Sequence, residues 1–396
     1  MEDNPKILVI SRYYLPGYKA GGPIRTLSNL VERLGDKFSF LVLTGDRDLG
    51  DTSPYPDIQF GEWNRVGKAL VWYLDPARVS FISFSKKLRE FDYDILYLNG
   101  FFNLFTRRIL IYSKLGLLPE RPTILAPRGE FSRGALGIKG AKKNLYLKLV
   151  KVLDLVGQVS WQASSEFEKE DIQEVFPALK KKKSIWIAPN VPPTINSERN
   201  LKLTKNPGSI KMIFLSRIDP MKNLIFALET LNEINGTVHY DIYGPLEDQN
   251  YWKECKRIIE KLPPNITVSY KGMISHQQVF STFSKYHLFF FPTRGENFGH
   301  VIIESLSSGC PVLISDQTPW KDLAEAQAGY SIPLKRREEF RAVIEKFVEM
   351  DDDEFQKWSE GAIEFGKSFL HDPAVLEQNQ KLFQDLLERM DKKISE

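Results

Sequence analysis

The chain has 396 residues, 42% hydrophobic and 27% charged, an ordinary globular composition that excludes a disordered or collagen-like polymer. No apolar run approaches the roughly 18 residues that cross a bilayer, which excludes a helical span. The only two cysteines, Cys255 and Cys310, exclude a disulfide scaffold and fit a reducing, cytoplasmic location. The opening Met1-Glu2-Asp3-Asn4-Pro5 lacks the basic start and apolar core of a signal peptide. The net charge of +3 is a sum of unlike halves. Residues 1–200 carry 30 basic and 22 acidic side chains; the remainder carry 24 and 29. A basic first half and an acidic second half suggest two domains, one of them facing an anionic surface.

Short apolar runs alternate with longer amphipathic stretches. Residues 6–11, 38–43, 95–98, 123–126 and 184–187 read as strands. They are apolar on both faces, as a buried parallel sheet requires. Between them lie helical patterns, such as 24–34 with Ile24, Leu27, Leu30, Val31 and Leu34 on one face. The rhythm restarts with strands at 211–215, 238–243, 266–270, 288–291 and 311–314. Pro189-Asn190-Val191-Pro192-Pro193 and the polar residues to Gly208 read as a linker. After Ser331 the chain reads as helical, and a final helix spans about 373–392. The expected domains are 1–193, 205–370 and a helix at 371–396 that packs back on the first.

The segment from Phe291 to Trp320 carries the most chemistry. Gly295 and Gly299 flank Glu296 between a strand and a helix that starts near Gly299. Amides and dipole at a helix start favour phosphate. Glu296 lies in the loop and Glu304 one to two turns into the helix, so both can face one ligand. Their oxygens accept hydrogen bonds from sugar hydroxyls. Phosphate at the helix tip and hydroxyls on two carboxylates describe a nucleotide sugar. Upstream, Leu215-Ser216-Arg217-Ile218-Asp219-Pro220-Met221-Lys222-Asn223 is a strand end and turn. Asn223 or Asp219 is placed to cap the next helix. Arg217 and Lys222 emerge at the carboxyl edge of the sheet, where two cations can hold a diphosphate.

These residues resemble a retaining glycosyltransferase of family 4. Glu296-x7-Glu304 has that family's signature spacing, and SRIDPMKN resembles its Arg–Lys diphosphate clamp. Gly21-Gly22 before a helix resembles its first glycine loop. Residues 163–168, 188–190 and 241–244 match in order and position. The resemblance implies an α/β GT-B fold: two Rossmann-like doubly wound domains facing a central cleft, with a C-terminal helix crossing back. It implies that Arg217 and Lys222 bind the donor diphosphate and Glu304 the ribose. Glu296 would touch the donor sugar, and the amides of Asn297, Phe298 and Gly299 the sugar and phosphate. Gly22 with Gly21 would allow close approach of the diphosphate. Gly244 belongs to the donor loops, and Met273 and Ile274 lie where the family holds the base. His300 is a further donor contact, although capping or packing explains it equally well.

One departure stands out. Many members carry a His after the strand at 95–98, and this chain has Leu98-Asn99-Gly100-Phe101. Asn99 can bond a sugar hydroxyl but cannot act as a base near pH 7. Arg128 after the next strand is a second candidate at the acceptor side. Gly21-Gly22 and Asn99 also fit ordinary turns. Asp92-Tyr93-Asp94 precedes its strand, away from the carboxyl edge, so no metal site is expected there or elsewhere. Residues 139–153 form a basic amphipathic stretch, which fits a solvated helix face or an edge meeting anionic lipid. Lys180–Lys183 add to that charge.

The resulting expectation is a metal-independent, retaining transferase without a cofactor. It would move a hexose or N-acetylhexosamine from a UDP- or GDP-sugar to a saccharide acceptor, lipid-linked or free. Assembly of polysaccharide, O-antigen or capsule is the implied setting. The protein would be cytoplasmic, peripheral on the inner membrane face, and would bind no nucleic acid. A GT-B epimerase and a non-catalytic nucleotide-sugar-binding subunit are the alternatives. A dinucleotide oxidoreductase would need G-x-G-x-x-G after the first strand, and residues 11–22 do not supply it.

Overall fold

The structure is a computed structural model that describes residues 4–75, 78–137, 140–181, 184–193 and 203–395. The chain divides into two compact units, Met1–Pro193 with Asp372–Glu396, and Thr194–His371. Unit 1 runs β1 (Lys6–Ile10), α1 (Gly22–Leu34), β2 (Ser39–Gly45), β3 (Asn64–Val66) and β4 (Ala69–Leu74). It continues with α2 (Phe81–Glu90), β5 (Ile95–Asn99), α3 (Leu104–Lys114), β6 (Thr123–Ala126), α4 (Arg133–Gly137) and α5 (Gly140–Val152). It then has β7 (Ser160–Ala163), α6 (Glu166–Val175), a 3₁₀ turn at Pro177–Lys181 and β8 (Ile185–Ile187). Its sheet has the order β3-β4-β2-β1-β5-β6-β7-β8, parallel except for the β3–β4 pair.

Unit 2 runs β9 (Ser209–Leu215), α7 (Leu224–Leu231), β10 (Thr237–Tyr243), α8 (Gln249–Ile259), β11 (Ile266–Gly272) and α9 (His276–Phe283). It continues with β12 (Leu288–Phe291), α10 (His300–Ser307), β13 (Val312–Ser315), β14 (Gly329–Ile332), α11 (Arg337–Glu349) and α12 (Asp352–Leu370). Its strands lie parallel in the order β11-β10-β9-β12-β13-β14. Asp351 caps α12 by accepting the Glu354 amide, as an Asp at a helix start should. The last helix, α13 (Pro373–Ser395), belongs to unit 1.

Each sheet is doubly wound for a local reason. In unit 1 the even and odd strand positions are both apolar, so both faces need cover. Leu8, Ile10, Leu96 and Leu98 meet Phe84, Phe105, Ile109 and Leu147 from α2, α3 and α5. Ile7, Val9, Ile95 and Tyr97 meet Leu27, Leu30 and Val31 of α1 and Leu382, Phe383 and Leu386 of α13. Phe383 sets its ring edge-on against Phe38, Phe40 and Tyr97.

Four strands escape the pattern read from the sequence: β3, β4, β7 and β14. The linker reading also needs correction. Residues 194–202 lie outside the described residues, as do Lys139, Lys182 and Lys183. Residues 203–208, however, are built into unit 2. Lys205 is buried, and its Nζ donates to the carbonyls of Asn206, Val348 and Met350 at 2.8, 2.8 and 3.0 Å. It satisfies the carbonyls at the end of α11, a favourable place for a cation. Burial lowers its amine to about 8.

His287, just before β12, completes this anchor. Its Nδ1 accepts the Lys211 amide at 3.0 Å, so Nε2 carries the proton toward the Thr204 carbonyl, also at 3.0 Å. Burial pushes its pKa from 6.5 down to about 4. Between those values the unfolded chain binds the extra proton, so stability rises with pH. The contribution is complete above pH 6.5 and lost as the pH falls to 4, in total about 3 kcal/mol. Thermal unfolding of His287→Asn across this range should show a flattened acid limb, while an unchanged limb would exclude His287 as the titrating group.

Candidate active site

In open α/β sheets a ligand crevice forms at the carboxyl edge where strand order reverses. In unit 2 that reversal lies between β9 and β12. The loops leaving these two strands contain Arg217 and Lys222 on one side and Glu296 on the other. They are stitched together through backbone groups. The Met221 carbonyl accepts the Arg294 amide at 2.8 Å and the Thr293 hydroxyl at 3.2 Å. Asn223 donates to the Pro292 carbonyl at 3.0 Å. Asn223 sits at the start of α7 with φ 59°, so its side chain serves this crossing and does not cap the helix. Asp219 instead accepts the amides of Met221 and Lys222, which tightens the turn.

The stitching puts Lys222 Nζ 2.5 Å from Glu296 Oε1. Both side chains are nearly buried, 11% and 14% exposed. The Glu296 amide is fixed by the Gln317 carbonyl at 2.9 Å. Arg217 turns to Glu247 at 2.6 Å and lies 3.8 Å from Asp219. Each cation therefore keeps a carboxylate partner and retains further N–H groups, since Lys has three and Arg five. Gly299 begins α10 with φ 76°, and Glu304 is buried in that helix.

His300 and Phe298 are also buried; the Phe298 ring packs on Trp320, Phe369 and His300. The Phe298 side chain is therefore core, and its carbonyl accepts the Trp320 indole at 2.5 Å. Asn297 lies in the same loop, between Glu296 and Phe298. Met273 and Ile274 follow β11, with Met273 exposed. Gly272 ties this loop to the next, since its carbonyl accepts the Gly244 amide at 2.9 Å.

In unit 1 the reversal lies between β1 and β5. Gly21 stands before α1 with φ 68°, and a Cβ there would meet nothing within 4 Å. Gly22 opens the helix. Asn99 ends β5, buried, and accepts Arg128 Nε at 2.9 Å on its Oδ1. Arg128, at φ 58°, also donates to Asn190 at 2.7 Å and to the Tyr97 hydroxyl. Two buried carboxylates hold the surrounding loops. Glu168 accepts the amides of Gly129 and Ser164 at 2.6 and 2.8 Å, and Glu130 those of Phe101 and Phe102 at 2.5 and 2.9 Å. Burial pushes the Glu130 carboxyl up from the ordinary range.

The two acceptor-side candidates, Asn99 and Arg128, are thus one cluster. Asp92 and Asp94 hold the start of β1 through Lys6, at its amino edge. Among the described residues no group of three or more His, Cys, Asp or Glu is placed to hold a metal ion. Sequence reading missed Asn190, Tyr97, Glu247 and Thr293. Of these, Asn190 carried a signal, through its place in residues 188–190, which match the family pattern in order and position.

Comparison with known proteins agrees with this layout. Residues 197–365 match the family described as glycosyl transferases group 1. A stretch of 164 residues is 28% identical to the poly(glycerol-phosphate) alpha-glucosyltransferase of Bacillus subtilis (strain 168). That match covers 40% of this chain and 24% of the length of that relative. The sucrose-phosphate synthase of Thermosynechococcus elongatus superposes with a TM-score of 0.69 at 14% identity, over 98% of this chain and all of that one. HepE of Anabaena, solved with UDP and glucose, gives 0.65 at 16% identity, over 97% and 99%. WaaG, a glycosyltransferase involved in lipopolysaccharide biosynthesis, gives 0.66 at 12% identity, over 95% and 99%. The fold is GT-B.

Gly244 gives the sharpest local test. At φ 134° its Cβ position would lie 1.8 Å from the Ser216 carbonyl oxygen, in the loop that carries Arg217. Gly244→Ala should displace that loop and lower the melting temperature of the protein. An unchanged melting temperature would show that this close approach is dispensable.

Proposed function

We propose, for a chain whose residues 197–365 belong to the glycosyl transferases group 1, that the protein transfers a hexose or N-acetylhexosamine with retention of configuration. The donor is a UDP- or GDP-sugar, and no metal ion or other cofactor takes part. The acceptor is a saccharide, lipid-linked or soluble, in assembly of a surface polysaccharide. The protein works in the cytoplasm, peripheral at the inner face of the membrane. One observation carries the reading: Lys222 and Glu296 meet where the β9 and β12 loops cross at the reversal of strand order. The names of similar proteins support the chemistry, since HepE was solved with UDP and glucose and the Bacillus subtilis relative is an alpha-glucosyltransferase.

In this reading unit 2 holds the donor. The free N–H groups of Lys222 and Arg217 meet the diphosphate, and the first amides of α10 point at the same oxygens. Glu304 accepts the ribose hydroxyls, and Glu296 contacts the sugar. As the glycosidic bond breaks, its electron pair stays with the diphosphate. Lys222, Arg217 and the helix start stabilise that charge where it develops. The departing phosphate oxygen takes the acceptor proton as the hydroxyl attacks from the same face. Unit 1 supplies the acceptor side through Asn99 and Arg128.

Lys222→Ala should lower turnover by about 100-fold or more, the scale of losing one stabiliser of transition-state charge. Glu304→Ala should weaken nucleotide binding by about tenfold, the scale of one hydrogen bond to a charged group. Thermal shifts with UDP and GDP, beside turnover of a nucleotide-sugar panel, measure both. Normal turnover in Lys222→Ala sinks the assignment. Acceptor-independent donor epimerisation would establish an epimerase. Tight nucleotide binding without turnover over a broad acceptor panel would establish a binding subunit.

A further inference from the structure

Helix α5 has two apolar faces. Leu147 and Val150 pack into the core of unit 1. On the opposite side Leu145, Leu149, Val152 and Leu153 stand at least half exposed, Val152 by 82%. A helix apolar all round is normally buried, so an exposed second stripe marks a surface that something covers. The stripe does not end with α5. Arg107 of α3 lies over the Tyr146 ring, and Lys114 reaches Asp154 at 3.8 Å. Beyond α3, the Phe81 ring of α2 packs on Tyr112. This joins exposed Leu115 and Ile82 to the same face of the unit, the face covered by α2, α3 and α5.

The charge on these helices is one-sided. Across α2, α3 and α5 the sequence places ten Lys and Arg against one acid, Glu90. Arg108 and Lys143 turn inward onto the carbonyls of Val79 and Ala135. Lys86, Arg107, Lys142, Lys148 and Lys151 are exposed. Lys180 and Lys181 stand in the turn after Phe176, whose ring Lys151 overlies.

We propose that this face docks on an anionic lipid bilayer, with the outer leucines and valine of α5 in the headgroup boundary and the lysines on lipid phosphates. Charge decides among the occupants. A second copy paired through the same patch would set its exposed cations, Lys86, Arg107, Lys142, Lys148 and Lys151 among them, against their own copies. Anionic lipid neutralises them, each contributing about 1 kcal/mol near the surface. Lysine stems can lie along the apolar stripe with their heads on the phosphates. The proposal gives a specific surface to the peripheral-membrane part of the function above. Its test needs neither donor nor acceptor, so it can fail without touching the transferase reading.

Flotation of the full chain with vesicles of phosphatidylcholine and phosphatidylglycerol in equal parts, against phosphatidylcholine alone, tests it. The wild type should float with the anionic vesicles and be released by high salt. Lys148→Glu with Lys151→Glu should cut that binding by at least about tenfold, since each lysine counts about 1 kcal/mol. Leu149→Asn with Val152→Asn should reduce it further at high lipid. Both doubles change exposed side chains and should keep the wild-type melting temperature. A wild type that ignores anionic vesicles, doubles that bind as well as the wild type, or a dimer that the leucine double dissociates would each overturn the proposal.

Discussion

The geometry at the carboxyl edge of unit 2 depends on one crossing. Strand order reverses between β9 and β12, so the loops leaving their carboxyl ends lie side by side with no strand between them. Left to themselves, two such loops would splay. The Met221 carbonyl prevents this by accepting both the Arg294 amide and the Thr293 hydroxyl, and Asn223 repeats the tie to Pro292. Only then do Lys222 and Glu296 meet. A nearly buried ion pair is a poor source of stability, because desolvation offsets much of the attraction. Its value lies in placement. Lys222 is already oriented, and its remaining N–H groups are ready for an anion without a search through side-chain conformations.

Unit 1 uses the same topology with different chemistry. Its reversal lies between β1 and β5, where Gly21 and Gly22 precede α1 and Asn99 ends β5. Arg128, just after β6, is held there by three neutral acceptors, Asn99, Asn190 and the Tyr97 hydroxyl. Buried Tyr97 is in turn tied to Gln162, which donates to the Ala188 carbonyl. The charge of Arg128 is thus positioned but not cancelled by these three contacts. In unit 2, by contrast, Arg217 and Lys222 each face a carboxylate.

What the sequence made legible follows from what is local. Residues 123–126 and 288–291 read as strands and are β6 and β12 without shift, because a short apolar run between turns has few other fates. Gly299 at the start of α10 was equally plain. The missed strands fail for nonlocal reasons. In β7, Gln162 breaks the apolar run yet is buried, because Tyr97 and Ala188 satisfy its amide from other parts of the unit. β14 opens on Gly329, whose Cβ position would collide with Val312 on the neighbouring strand, so a weak strand former is the residue that fits. Lys205 read as linker because nothing in its surroundings along the chain announces the α11 carbonyls it serves.

The candidate site divides in the same way. Glu296, Glu304, Arg217 and Lys222 announce themselves by type and spacing, since charged groups after strand ends have a short list of uses. Their partners do not. Glu247 is an ordinary loop acid until Arg217 reaches it, and Thr293 an ordinary loop hydroxyl until Met221 comes alongside. Spacing can nominate the groups that would touch a ligand, but the groups that aim them come from loops distant in sequence. The same limit explains α5. Its sequence shows lysines interleaved with apolar residues, which suits a solvated face as well as a docking one. What separates the two is which leucines the core consumes. Leu147 goes in and Leu145 and Leu149 stay out, and that division exists only once the sheet beneath the helix is folded.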